Sequence, residues 1–385
     1  MAQGASEAIG TRSRSVGRRC GRVAAGLVLV GAVLGATRPA PFCVWFDALL
    51  GSQAAWAEEA APAARSAAEL VPADTRFFLE VDLKALKEHG PQEAVRRAIS
   101  TLEPLASESG LSAERLNSVV MASAEGLLNG DRLPSWLLFA QAGAPPPLSK
   151  LETAFRRYTR APLKPGNIGG LPYRGNSDLS LMQLPGGPTL VAGAAGPAEI
   201  AAAWQGKGQA PLLQAARAEI LQRVTGGHAS AAAFRLWLTL TSAMQRSLVE
   251  DAHVPAAPLE LASALRLLPD RSAELWVVTR CSDEETAKRL SGWLSGRIAT
   301  LASSSEVQLM GLSGYLQASK VASDGPLTRL QLTLGAADVA ALFERAIGML
   351  GSLAPRPAAA PAPADSKKNG PARSKPAAKP AAAGR

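Results

Sequence analysis

Between residues 70 and 351 apolar positions recur in short blocks of two kinds: runs that suit a buried strand and 3.6-period stripes that suit one face of a helix. Leu70-Val71-Pro72-Ala73-Asp74-Thr75 reads as a turn that delivers the apolar and aromatic run from Arg76 to Asp82, a predicted strand. Pro91 sits where a helix would start, and Ala94, Val95, Ala98, Ile99 and Leu102 keep helical spacing behind it. Ser118 to Ala124 and Trp136 to Gln141 are further predicted strands, followed by a helix over Ser149 to Tyr158. Leu179 to Leu184 and Thr189 to Ala192 join across the turn Pro185-Gly186-Gly187, and a short helix over Ala198 to Trp204 closes the unit.

The blocks then start again. Ala229 to Trp237 is a predicted strand, Thr241 to Glu250 and Leu259 to Leu267 are predicted helices, and Glu274 to Arg280 is a strand. Ser282-Asp283-Glu284-Glu285 supplies a cap and first-turn acids to the strongest helix, with Ala287, Leu290, Leu294, Ile298 and Leu301 along one face. Tyr315 to Val321 and Leu327 to Leu334 are expected to pair across Ser323-Asp324-Gly325-Pro326, and a helix over Ala337 to Leu350 ends the body. Residues echo as well as elements. Ala198-Glu199-Ile200-Ala201 returns 139 residues later as Ala337-Asp338-Val339-Ala340, and Ser135-Trp136-Leu137-Leu138 lines up with Glu274-Leu275-Trp276-Val277 at the same offset. The expected fold class is α+β, two tandem duplicated antiparallel-sheet-plus-helices units with helices on one face, flanked by disordered N- and C-terminal extensions. The expected boundaries are 1–57 for an export signal, 58–69 for a linker, 70–205 and 229–351 for the repeats, 206–228 for the connection, and 352–385 for an Ala/Pro/Lys tail.

Charge changes this picture only at the ends. The chain of 385 residues carries a net +9. Residues 1–57 hold six arginines against Glu7 and Asp47, while residues 354–385 hold seven basic residues against Asp365, so the body between them is close to neutral. A basic groove for nucleic acid is therefore not implied by the overall charge. The N-terminal stretch is basic without lysine, and Val23 to Ala36 is an apolar run of export-signal length. The expected cleavage motif is Ala55-Trp56-Ala57, with the cut between Ala57 and Glu58. The long gap from Ala36 to Ala57 keeps an uncleaved anchor as the alternative, while Arg38, Pro39, Pro41 and Asp47 argue against a full membrane span. Of three cysteines, Cys20 and Cys43 lie in this segment, so cleavage leaves Cys281 alone and no internal disulfide.

Catalytic and metal motifs are not found. His89, His228 and His253 start no His-Glu-x-x-His motif and have no Cys or His at ligand spacing. Gly311-Leu312-Ser313-Gly314 lacks the second glycine of a nucleophile elbow, and no lysine has a serine three residues before it. Gly206-Lys207-Gly208 lacks the spacing of a phosphate loop, and no cofactor is expected. Cys281 precedes Asp283, Glu284 and Glu285, which disfavour a thiolate. Glu80 and Asp82 point to one face of their strand, where two carboxylates can share a proton or a metal, although salt bridging, or a helix cap for Asp82 at the strand end before Leu83, is the expected use.

In the tail, Lys367, Lys368, Arg373, Lys375 and Lys379 are spaced along a Pro/Ala chain that extends to on the order of 100 Å at about 3.1 Å per residue. Such lysines attract polyanions, but without aromatic stacking they do not select a nucleic-acid sequence. Leu70-Val71-Pro72-Ala73-Asp74-Thr75 followed by Phe77-Phe78-Leu79-Glu80-Val81-Asp82-Leu83 resembles the opening of a family of exported bacterial proteins of unknown function, which begin with a Leu-Pro-x-Asp-Thr turn, a strand and an acidic strand end. The resemblance implies export and carries no active site. The expected function is a non-catalytic binding or scaffolding module of the cell envelope, its partner an envelope protein or polymer. The alternative is an envelope hydrolase whose site, for instance around Glu80, Asp82 and Tyr173, assembles only in three dimensions.

Overall fold

The computed structural model describes residues 66–93, 95–96, 111–112, 114–125, 134–143, 146–156, 159, 161–193, 195–207, 212–214, 219–224, 232–309, 311, 313–341 and 343. The expected signal with its Ala57/Glu58 junction, the basic tail, and most of the helix expected after Pro91 lie outside these residues. Among the described residues twelve strands form one antiparallel sheet: β1 Phe77–Asp82, β2 Leu116–Ser123, β3 Trp136–Gln141, β4 Lys164–Ile168, β5 Leu171–Gly175, β6 Ser180–Gln183, β7 Thr189–Ala192, β8 Ala232–Thr239, β9 Glu260–Leu267, β10 Ala273–Arg280, β11 Lys320–Asp324 and β12 Leu327–Leu334. Their order across the sheet is β11-β12-β10-β9-β8-β1-β2-β3-β7-β6-β5-β4. The helices are α1 Leu83–His89, α2 Leu148–Phe155, α3 Ala198–Trp204, α4 Glu219–Val224, α5 Ser242–Glu250, α6 Glu284–Ala302, α7 Ser305–Leu309 and α8 Ser313–Gln317, with 3-10 turns at Ala67–Leu70 and Leu212–Gln214.

Alternation along each strand divides the core into two faces. On the first, Phe77, Met121, Leu137, Phe139, Leu236, Val277 and Leu330 meet Leu151 and Phe155 of α2 and Ala287, Leu290 and Leu294 of α6. Farther along the same face Val81, Leu267, Ala273 and Leu334 meet Ala85 and Leu86 of α1 and Val339. On the second face, Phe78, Val120, Trp136, Leu138, Trp237, Ala262, Ala264 and Val278 meet Leu70, Ile200 of α3, and Ile220, Leu221 and Val224 of α4. Helices therefore cover both faces, not one. A sheet apolar on both sides must be covered twice, and the segment expected to be a mere connection supplies α4 to do it.

Two elements differ in type from the sequence expectation. Leu259 to Leu267 is not a helix: β9 starts at Glu260 and pairs with both β8 and β10. Its residues satisfy both periods, because Leu261, Leu265 and Leu267 alternate with Ala262 and Ala264, and those small alanines fit beneath α4. Tyr315 to Val321 is not a strand either. Ser313–Gln317 forms α8, and the edge strand starts at Lys320. Its hairpin turns through Gly325-Pro326, with Gly325 at φ +54°, a left-handed value that glycine adopts without strain. The hairpin of β4 and β5, absent from the sequence expectation, closes likewise on Gly169 and Gly170 at φ +59° and +88°.

Read outward from the β1/β8 junction, the two halves run in matching order, β1-β2-β3-β7-β6 on one side and β8-β9-β10-β12-β11 on the other. The residue echo does not follow this match in register. The offset of 139 pairs Leu137 on the first face with Trp276 on the second, and a one-residue slip inverts the pleat. Ile200 and Val339 are both buried, but they sit in separate clusters on opposite faces.

Helix α6 forms as its sequence dictates. Asp283 accepts from the Thr286 backbone N–H at 2.8 Å, the Thr286 hydroxyl at 2.9 Å and the Ser282 hydroxyl at 2.6 Å. These hydrogen bonds, the Ser282 one foremost, pull its carboxyl down to about 2. A carboxyl depressed in the folded chain stabilises it above the unfolded value and loses that contribution as pH falls through 3.8 towards about 2. Asp283→Ala is expected to lower the thermal midpoint near neutral pH and to leave less acid sensitivity in that window, measured by melting curves at several pH values. Gly292 and Gly296 lie inside α6 with nothing within 4 Å of where a Cβ would stand. Their replacement by alanine is expected to stabilise the chain by about 0.5–1 kcal/mol each, read from denaturant midpoints.

Candidate functional site

Charged side chains enclosed in the sheet are the place to look for chemistry, because burying a charge costs free energy that only a partner offsets. Strands β1 and β8 pair with Glu80 directly opposite Arg235 and Phe78 directly opposite Trp237. All four face the second side, and the two charged residues are only 6% and 8% exposed. Arg235 donates to Glu80 Oε2 from Nε, and its Nη2 contacts the same oxygen. Burial pushes the Glu80 carboxyl above the usual range; Arg235 pulls against that, and the Asp82 and Glu69 charges add to it. A carboxyl raised in this way is what a general acid needs, but a proton donor must also reach its substrate. Glu80 is closed in by its neighbours and held by Arg235.

Asp82 shares the strand face but not the site. Its carboxylate accepts from the Ala85 backbone N–H at 2.9 Å and caps α1, one of the two uses expected from its place before Leu83. Tyr173 is not brought near either carboxylate. It stands on β5, five strands from β1 in the sheet order, on the order of 24 Å at about 4.8 Å per strand. Its ring lies over Gly166 of β4, so close that a Cβ there would stand 2.4 Å from the ring. The trio Glu80, Asp82 and Tyr173 does not converge.

Two further charged groups occupy the second face of the other half. Arg280 reaches Glu260 at 3.1 Å and Glu219 at 3.2 Å, while Arg223 reaches Glu219 at 2.7 Å and Asp324 at 3.0 Å. This chain of pairs ties α4 to β9, β10 and β11. Hydrogen bonds from Arg223 and then Arg280 hold the Glu219 carboxyl below the usual range. Nearer the other end, Arg266 pairs with Glu274, which also accepts from Trp276 Nε1 at 3.3 Å. Sequence reasoning missed Arg235, Arg266 and Arg280. For the last two a signal existed, since Arg266/Glu274 and Glu260/Arg280 are symmetric about the β9/β10 turn; reading β9 as a helix hid it.

Cys281 is buried at the end of β10, and burial first of all raises its thiol pKa, with the Asp283 charge adding. His89 and His253 stand apart on α1 and in the loop after α5, and His228 lies outside the described residues. Among the described residues no three His, Cys, Asp or Glu side chains group closely enough to hold a metal ion, and no helix is long and apolar enough to cross a membrane. The cleavage residues Ala57 and Glu58 and the basic residues Lys367, Lys368, Arg373, Lys375 and Lys379 lie outside the described residues.

No protein-family model matches this chain, and no curated protein matches it. The chain is similar in structure to a protein called TP0453: crystal form III has 10% sequence identity and a TM-score of 0.42, covering 74% of this chain and 100% of that one. Crystal form IV has 11% identity and a TM-score of 0.40, covering 71% and 95% of the two chains.

Proposed function

We propose that this chain is an exported protein of the cell envelope that binds or scaffolds another envelope component, with a body that arose by duplication of one α+β unit. The observation that carries the non-catalytic reading is the enclosure of its sheet carboxylates: Glu80 is held by buried Arg235, and Asp82 is spent on the cap of α1. Support for export comes from the segment order of residues 1–57, a basic stretch, an apolar run and a small-residue junction. Support for duplication comes from the matching strand order on the two sides of the β1/β8 junction, with the β4/β5 hairpin an addition to the first half and the α7/α8 segment an addition to the second.

The test is recovery of the full-length gene product from fractionated cells, with N-terminal sequencing and retention on isolated envelopes. The expected result is a periplasmic chain starting at Glu58 that envelopes retain. Recovery from the cytosol with residues 1–57 intact would overturn the reading of export. Retention that vanishes in high salt and on deletion of residues 354–385 would assign binding to the basic tail and overturn a binding role for the folded body.

A further inference from the structure

An antiparallel sheet of twelve strands ends in two edges, and each edge offers a row of backbone N–H and C=O groups to another strand. Proteins blunt such edges when pairing must be avoided, and the two edges here differ in that respect. β4 reads Lys164-Pro165-Gly166-Asn167-Ile168, where Pro165 lacks a donor and interrupts any further ladder. β11 reads Lys320-Val321-Ala322-Ser323-Asp324, without proline, glycine or bulge, and all but Val321 are exposed. Among the described residues no strand pairs with its outer side.

The order of side chains on β11 is its own complement. Val321 lies opposite Leu330 on the first face, so Lys320, Ala322 and Asp324 lie on the second. If a second β11 runs antiparallel to the first about a twofold axis at Ala322, each Lys320 comes to stand directly opposite the other copy's Asp324. Val321 then faces Ser323, and Ala322 faces Ala322. Oppositely charged pairs directly across antiparallel strands stabilise the pairing, and a twofold contact makes each such pair twice. Asp324 has capacity for it: its contacts to Arg223 at 3.0 Å and Arg329 at 3.8 Å both use Oδ2. Lys320 has no ion-pair partner among the described residues and is exposed. Helix α6 packs on β11 and β12, so the same axis places two copies of α6 side by side and antiparallel on the first face, widening the contact beyond the strands.

We propose that β11 is the interface of a homodimer, in which two chains join edge to edge about Ala322 into one continuous sheet. The lysine that would repel a like-charged neighbour on a guarded edge is here matched by the Asp324 of the second copy. The proposal rests on the edge alone and is independent of export or of what the body binds.

Sedimentation of the folded chain, purified whole, tests it at concentrations up to about 100 µM, a range suited to a small interface. The wild type is expected at twice the mass of one chain. Lys320→Asp and Asp324→Lys, each placing like charges opposite one another, are expected to weaken the dimer at least tenfold. Lys320→Asp combined with Asp324→Lys restores the complement and is expected to dimerise like the wild type. Asp324→Lys also removes an internal partner of Arg223, so Lys320→Asp, at an exposed position outside every internal ion pair described, decides the matter should the other variant fold poorly by circular dichroism. A monomeric wild type at the highest concentration, a Lys320→Asp chain that dimerises as tightly as the wild type, or a folded double variant that stays monomeric would each overturn the proposal.

Discussion

Arg235→Met is expected to lower the free energy of unfolding by about 3–5 kcal/mol, because it strands the Glu80 carboxylate in the interior without its partner. The two residues face each other at the junction of β1 with β8, the place where the halves of the sheet meet, so the loss acts on the whole sheet and not on one edge. Glu80→Leu alone is expected to cost as much by stranding the guanidinium. Glu80→Leu combined with Arg235→Met, which fills the space with apolar groups, is expected to return to within about 1 kcal/mol of the wild type. The pH dependence has a definite sign. Burial holds the folded Glu80 carboxyl above its ordinary value of 4.5, so the folded chain binds this proton more tightly than the unfolded chain does. The stability contributed by Glu80 is therefore complete below 4.5 and declines as pH rises through the folded value. Without Arg235 the folded value climbs further, and urea midpoints of the methionine variant should fall more steeply as pH rises above 4.5 than those of the wild type. A loss under about 1 kcal/mol with an unchanged pH slope would show that the pair does not hold the junction.

Trp237→Ala is the second large effect, with an expected loss of about 3–5 kcal/mol. Trp237 is fully buried opposite Phe78, one step along the strands from the ion pair. Its neighbour across β9 is Ala262, so the indole fills space that a small residue leaves open. Truncation opens a void that helices on a rigid sheet can close only in part, and the cost combines lost transfer energy with the cavity. Trp237→Phe should retain most of the stability, since it keeps the ring and most of the volume. Denaturant titration followed by circular dichroism separates the two variants.

The apolar pattern by itself determined β1, β3 and β7, whose runs have no competing helical reading, and helix α6, whose cap and apolar stripe are both local. It also offered a helix cap as one of two uses for Asp82, because a cap needs nothing beyond the next three residues, and the structure selects the cap. Tertiary structure decided the rest. Glu260 to Leu267 satisfies both a helical and an alternating period, and what settles it is pairing with β8 and β10 on either side. The partner of Glu80 stands 155 residues away on β8, beyond the reach of any spacing rule. That the two halves share one sheet also follows from contact, since alternation states which side of a strand is apolar and says nothing about which strand lies along its edge. Backbone groups are alike in every strand, so the choice of neighbour is made by side chains that meet only when distant segments pack.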